Sequence, residues 1–288
     1  MNIQQALISK LQKKRLIVKT RKRGIHKGSR QSSKFGSSLE FSDFRVYQPG
    51  DDVRLIDWNV YGRTNKHYIK RYLDEQELSI AIYLDTTSSM REIKSKWQLA
   101  KQLAAAFSYI VLNSEDRLYF STVSSARVEP IKRKGAVYGR KTFLEILQLE
   151  EIGRAGGFIH HLLKTAAKKQ QLSIIITDGL EPLEELEQLL KKLASFKQEI
   201  WFIQVLSTEE IEPKLSGDMK LVDSESDKIV NVSMSPVILA EYEKRLAEHN
   251  RKLERLCRKF GGHYLLASDN HDVQSFIFHE CSGKGLVN

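Results

Sequence analysis

The sequence predicts an α/β fold built on a doubly wound, mostly parallel sheet, and three observations predict it. Residues 80–84, 173–177 and 199–206 are short apolar runs rich in β-branched and aromatic side chains, as suits strands covered on both faces. Amphipathic helical patterns alternate with them, which argues for crossover connections and parallel pairing. The first two runs end in carboxylates, Asp85 and Asp178, where an open α/β sheet gathers its ligand-binding loops.

The elements follow in order. Residues 1–16 read as a short helix, and glycines and serines between 24 and 37 mark an irregular connection. Gln48-Pro49-Gly50-Asp51 is a turn with short strands on either side. After the strand at 80–84, residues 95–112 place Trp97, Ala100, Leu103, Ala104, Phe107 and Val111 on one helical face. Strands are expected at 117–121 and 126–131, the second at an edge, and helices at 142–149 and 159–167. After the strand at 173–177, Pro182 opens a helix reaching residue 196. Residues 212–235 are polar and predict a loop with a hairpin. A long helix over 235–260 then carries an apolar stripe through Tyr242 that reads as core packing, closed by Gly261-Gly262. A last strand at 263–266 and a short helix at 273–278 complete the chain. Three parts result: a basic arm (1–35), a compact block with short strands (36–77) and the α/β domain (78–280).

Charge is unevenly placed. Of the 46 Lys and Arg, 11 lie within residues 1–39, where there is no Asp or Glu. The other 35 face 36 acidic residues, so the net charge of +10 belongs to the arm. Such an arm can bind anionic lipid, nucleic acid or an acidic protein face, or it can be solvated and partly docked through Leu7, Leu11, Ile17 and Val18. No aromatic is interleaved with its charges, which weighs against single-stranded nucleic acid. No apolar run approaches the ~20 residues of a membrane span, and basic residues interrupt the apolar positions near the start, so no signal segment is expected. Cys257 and Cys281 read as ordinary thiols of a reducing cytoplasm.

The chemistry concentrates after the first strand. Asp85, Thr87 and Ser89 alternate just past its end, and such hard oxygen donors suit Mg²⁺ or Mn²⁺. The alternative is a strand followed by a Ser/Thr-rich helix cap. A Ser88–His161–Asp178 triad can be drawn, but there is no G-x-S-x-G elbow. Phosphate-loop, dinucleotide-loop, H-E-x-x-H and C-x-x-C motifs are all missing, which favours a binding module over an enzyme. In the block, Trp58 is expected to be buried, and Arg45 or Arg54 to pair with Asp43, Asp51, Asp52 or Asp57. Its carboxylates, Glu40 included, read as turn caps and arginine partners more than as a second metal site.

Two resemblances extend this reading. Asp-x-Thr-x-Ser at 85–89 resembles the first loop of the metal-ion-dependent adhesion site of von Willebrand factor A domains. Residues 36–63, GSSLEFSDFRVYQPGDDVRLIDWNVYGR, resemble the hallmark of the bacterial domain of unknown function 58 family, where such a block precedes a von Willebrand factor A-like domain. Glu40, Phe41, Asp43, Arg45, Tyr47, Pro49, Gly50, Asp51, Asp52, Arg54, Ile56, Asp57, Trp58 and Arg63 carry that match, and Glu77 follows at the expected distance. The resemblance implies a von Willebrand factor A (Rossmann-like) sheet and a metal set of Asp85, Thr87, Ser89 and Asp178. Related second loops read Gly-Gly-Thr, whereas this chain has Gly156-Gly157-Phe158. Either fewer protein donors hold the Mg²⁺ or Mn²⁺, or the site is empty. The family's association with MoxR-type AAA+ ATPases implies a non-enzymatic cytoplasmic adaptor between such an ATPase and client proteins. The alternative is an anionic membrane-surface or nucleic-acid binder led by the arm.

Overall fold

The computed structural model describes residues 3–19, 27–123, 129–150, 157–222 and 229–288, the side chains of 3–4, 27–43, 71–76, 123 and 222 aside. The chain divides into two units, Met1–Lys22 with Ser79–Asn288, and Arg23–Leu78. The charged arm is therefore shared between them.

Its first part is α1 (Ile3–Leu11), which lies against a helix of the sheet unit. Leu11 and Leu16 are buried, and the backbone of residues 16–17 pairs with Leu286 and Val287. Residues 27–37, expected to be irregular, belong instead to a long strand, β1 (Lys27–Val46). Past the turn at Pro49-Gly50 come a 3₁₀ turn (Val53–Leu55), α2 (Trp58–Thr64) and β2 (Tyr68–Gln76). β1 and β2 pair antiparallel with repeated register shifts. Here local pairing outweighs the Gly/Ser signal, because bulged antiparallel strands tolerate extra residues.

The carboxylates of this unit do the capping the sequence suggests. Asp51 accepts from the Gln48 amide and pairs with Arg45, Asp52 caps the 3₁₀ turn and pairs with Arg54, and Asp57 caps α2 while pairing with Lys70. Asp43 and Glu40 lie among the side chains that are not described. The expected burial of Trp58 is corrected, since its side chain is 62% exposed. It begins α2 beside its Asp57 cap, where it turns outward and meets Tyr61 and His67 edge-on.

The sheet unit holds the six-stranded sheet. Its strands are β3 (Ser79–Asp85), β4 (Arg117–Val123), β5 (Ile131–Lys134), β6 (Leu172–Thr177), β7 (Glu199–Leu206) and, last in the chain, β10 (His263–Ser268), in the spatial order β10-β7-β6-β3-β4-β5. All pairs are parallel except β4–β5, which places the antiparallel strand at an edge. Between β3 and β4 run the short α3 (Ser88–Arg91) and α4 (Lys94–Asn113). α5 (Gly139–Leu147) and α6 (Phe158–Thr165) follow β5, and α7 (Leu183–Ser195) joins β6 to β7. After β7 come α8 (Thr208–Ile211), the hairpin β8 (Gly217–Val222) and β9 (Ile229–Met234), and α9 (Pro236–Lys259). A short helical segment, α10 (Val273–Ser275), continues as a π-turn to Cys281.

Helices cover both faces. α6, α7 and the second half of α9 enclose a core of Tyr83, Phe158, Leu162, Leu190, Phe202 and Leu253 on one side. On the other, α4 is buried almost all round, Ala104, Ala105 and Ala106 included, because α1, α5 and α10 cover its outer surface. The Tyr242 stripe differs from expectation. The first half of α9 is largely exposed, Tyr242 included, and only its later part, with Leu253 and Cys257, is buried. From β3 the chain moves outward to β4 and returns to β6 on the opposite side. The order therefore reverses between β3 and β6, and their carboxyl ends flank the crevice where such sheets take ligands.

Candidate functional site

Asp85 closes β3 and Asp178 follows β6, so the topology brings the first and third predicted loops to one crevice. Both carboxylates are nearly sealed from solvent, at 2% and 3% exposure. A buried carboxylate needs donors. Asp85 Oδ1 accepts from the Thr87 amide at 2.9 Å and from Thr87 Oγ1 at 2.7 Å, and Oδ2 accepts from Thr177 Oγ1 at 2.6 Å. Thr87 Oγ1 lies 3.0 Å from Ser89 Oγ. All four predicted residues thus lie at one place, Asp85, Thr87 and Ser89 in one hydrogen-bonded chain. Gly179 follows with φ +63°, where a Cβ would press on Phe202 and Leu253 at 3.1–3.2 Å.

The countercharge comes from α4. Lys96 is fully buried, and its ammonium donates to Glu210 Oε1 at 2.7 Å, Asp178 Oδ2 at 3.2 Å and the Ser89 carbonyl at 3.2 Å. An ammonium has three N–H donors, and here each has an acceptor. Burial would lower the Lys96 pKa, but the charges of Asp178 and Glu210 outweigh it and hold the value above its ordinary level. Glu210 is itself fixed by a reciprocal capping box with Ser207 at the start of α8. Among the described residues, no cation pairs with Asp85. Burial, and then the neighbouring charge of Asp178, push its pKa up to about 7.

The donor chemistry fits a hard divalent ion. Asp178 and Glu210 pair with one ammonium, and the hydroxyls of Thr87 and Ser89 stand beside Asp85. The fit rests on carboxylates plus hydroxyls, because among the described residues no group of three or more His, Cys, Asp or Glu is set to hold an ion.

Residues 43–252 match the family described as protein of unknown function DUF58. The chain belongs to that family. Uncharacterized protein Rv1480 of Mycobacterium tuberculosis and uncharacterized protein Mb1516 of Mycobacterium bovis are each 24% identical to it over 265 residues, covering 89% of this chain and 83% of theirs. Among solved structures it is similar to an aerotolerance-related membrane protein of Bacteroides fragilis, at 13% identity and a TM-score of 0.43, covering 72% of this chain and 99% of that one. It is also similar to the conserved hypothetical protein BatB of Bacteroides thetaiotaomicron, at 16% identity and a TM-score of 0.38, covering 72% of this chain and 98% of that one. Among the described residues of the DUF58 chain, no helix is long and apolar enough to cross a membrane.

Within this DUF58 chain, Phe158 of the predicted second loop is the first residue of α6. Phe158 is fully buried in the core against the sheet and offers no oxygen to the crevice; Gly156 lies outside the described residues. His160 and His161 are exposed on α6, and none of the described hydrogen bonds joins Ser88 to His161. Sequence reading missed Lys96, Thr177 and Glu210. Each had a signal. Lys96 precedes Ala100, Leu103 and Phe107 at helical spacing, which puts a lysine inside an apolar stripe. Thr177 directly precedes Asp178, and Ser207-x-x-Glu210 is a capping-box pattern.

Proposed function

We propose that this DUF58 protein is a non-enzymatic protein-interaction adaptor, with a sheet of von Willebrand factor A type whose carboxyl-end crevice is the recognition site. The observation that carries the reading is the convergence of Asp85, Thr87, Ser89 and Asp178 at the topological switch point of the sheet. Asp85, Thr87, Ser89 and Asp178 would hold Mg²⁺ or Mn²⁺. When bound, the ion offers an open coordination position to a partner's Asp or Glu. Thr87 and Thr177 orient Asp85, and Gly179 lets the chain turn sharply past Asp178. Ser88 and Ser89 are the half-buried residues of the first loop. The partner class we infer from the family resemblance is a MoxR-type AAA+ ATPase in the cytoplasm that acts on client proteins.

The arm-led alternative is less favoured by the position of α1. Leu11 and Leu16 are buried in the sheet unit, so part of the arm serves packing.

The deciding experiment captures such an ATPase on immobilised native protein, Asp85→Asn and Asp178→Asn, with circular dichroism to check folding. Native protein is expected to capture it at low and moderate salt, and both variants to lose capture. Full capture by the folded variants overturns the reading. Capture that persists in the variants but collapses with salt transfers function to the basic arm.

A further inference from the structure

We infer that Lys96 is the resident counter-ion of the crevice and competes with a divalent cation for Asp178. The inference rests on reading the crevice as the recognition site, and it concerns what occupies that site when no divalent ion is bound.

The geometry argues for a built-in cation. Lys96 reaches the crevice from the first turn of α4 and has no exposure at all. An ammonium this deep is costly unless paired and fully hydrogen-bonded. It meets both conditions, and two of its three acceptors, the Ser89 carbonyl and Asp178 Oδ2, belong to the two loops that would hold an ion. The contacts are unequal. Glu210 is held at 2.7 Å, within the range of a charge-assisted bond, whereas Asp178 is held at 3.2 Å. Of the two carboxylate contacts Asp178 is thus the one more easily surrendered, and the Glu210 pair keeps Lys96 anchored when it is.

The charge balance points the same way. One ammonium stands against Asp178 and Glu210, and among the described residues no cation pairs with Asp85. A divalent ion bound at Asp85 and Asp178 then faces repulsion from Lys96 in a poorly screened site. The consequence is weak ion binding in native protein, tightened when the lysine charge is removed.

Mn²⁺ binding, measured by electron paramagnetic resonance on the full chain, tests this. Lys96→Met and Lys96→Gln are expected to bind Mn²⁺ at least about tenfold more tightly than native protein, because a nearby repulsion has been removed. Lys96→Arg, which keeps the charge, should show no such gain. Adding Asp178→Asn to Lys96→Met should abolish it. If loss of the lysine leaves the crevice too acidic to fold, Mn²⁺ should restore the melting transition of Lys96→Met or Lys96→Gln while barely moving that of native protein. Equal Mn²⁺ affinity in native and neutral variants, or unfolded neutral variants that millimolar Mn²⁺ does not rescue, overturns the inference. Either result would make Lys96 a structural ion pair only. Ion binding and ATPase capture are separate readouts. Failure of this inference with capture still dependent on Asp85 leaves the adaptor reading intact, and loss of that dependence leaves the Lys96 result unaffected.

Discussion

Asp85 shows how burial turns a common side chain into a sensitive one. An aspartate in an unfolded chain titrates near 3.9, whereas Asp85 in the folded crevice is pushed up to about 7. Between these values the native state holds a proton that the unfolded state has released. Stability from this group is therefore greatest at acid pH, falls as pH rises through that window and is level above it. Thermal melts in chelator should show this decline from about pH 4 to 7, with the slope reduced in Asp85→Asn. An unchanged slope in that variant would mean other groups carry the pH dependence. Phe158 makes the complementary point. Restoring the related motif by Phe158→Thr should cost about 3–5 kcal/mol, as for truncating a buried phenylalanine, and should not tighten Mn²⁺ binding. Its side chain fills the core under α6. A variant as stable as native, or one with stronger ion binding, would contradict that placement.

At the scale of elements, caps and strand ends set the site. The capping box of Ser207 and Glu210 starts α8 and aims Glu210 at Lys96. Ser207→Ala removes the cap hydroxyl and should cost about 1 kcal/mol in chemical denaturation. No loss would show that the Glu210–Lys96 pair alone fixes α8. Trp58 is a case where a motif misled. Its place in the block suggests burial, but as the first residue of α2 its side chain faces solvent. Trp58→Ala should change stability by less than about 1 kcal/mol, as usual for surface positions. A large loss would require burial that the structure does not show.

Across the whole molecule, residues 3–19 of the basic arm are not a detachable charge tail. Leu11 is buried, and residues 16–19 hydrogen-bond to Leu286 and Glu199 of the sheet unit. Leu11→Ala should cost about 2–5 kcal/mol, the range for buried leucines. Neutralising the exposed Lys13 and Arg15 to Gln should leave the melting temperature nearly unchanged. If Leu11→Ala is also silent, α1 is only loosely attached and deletion of the arm becomes a clean test of its charge.

By itself the sequence determined the alternating strands and helices, the hairpin before α9, and the acidic ends of β3 and β6; of the edge strand expected at 126–131, residues 126–128 lie outside the described residues and β5 begins at Ile131. These follow from periodicity and from turn and cap chemistry, which act over a few residues. It also carried the family block. The tertiary structure decided that Thr177, Lys96 and Glu210 complete the crevice, that the first half of α9 is exposed, and that residues 27–37 pair as a strand. Those outcomes depend on which segments of the chain meet. Lys96 shows why: a lysine at a helix start is ordinarily solvated, and only the convergence of the Ser89 loop, Asp178 and Glu210 makes its burial favourable.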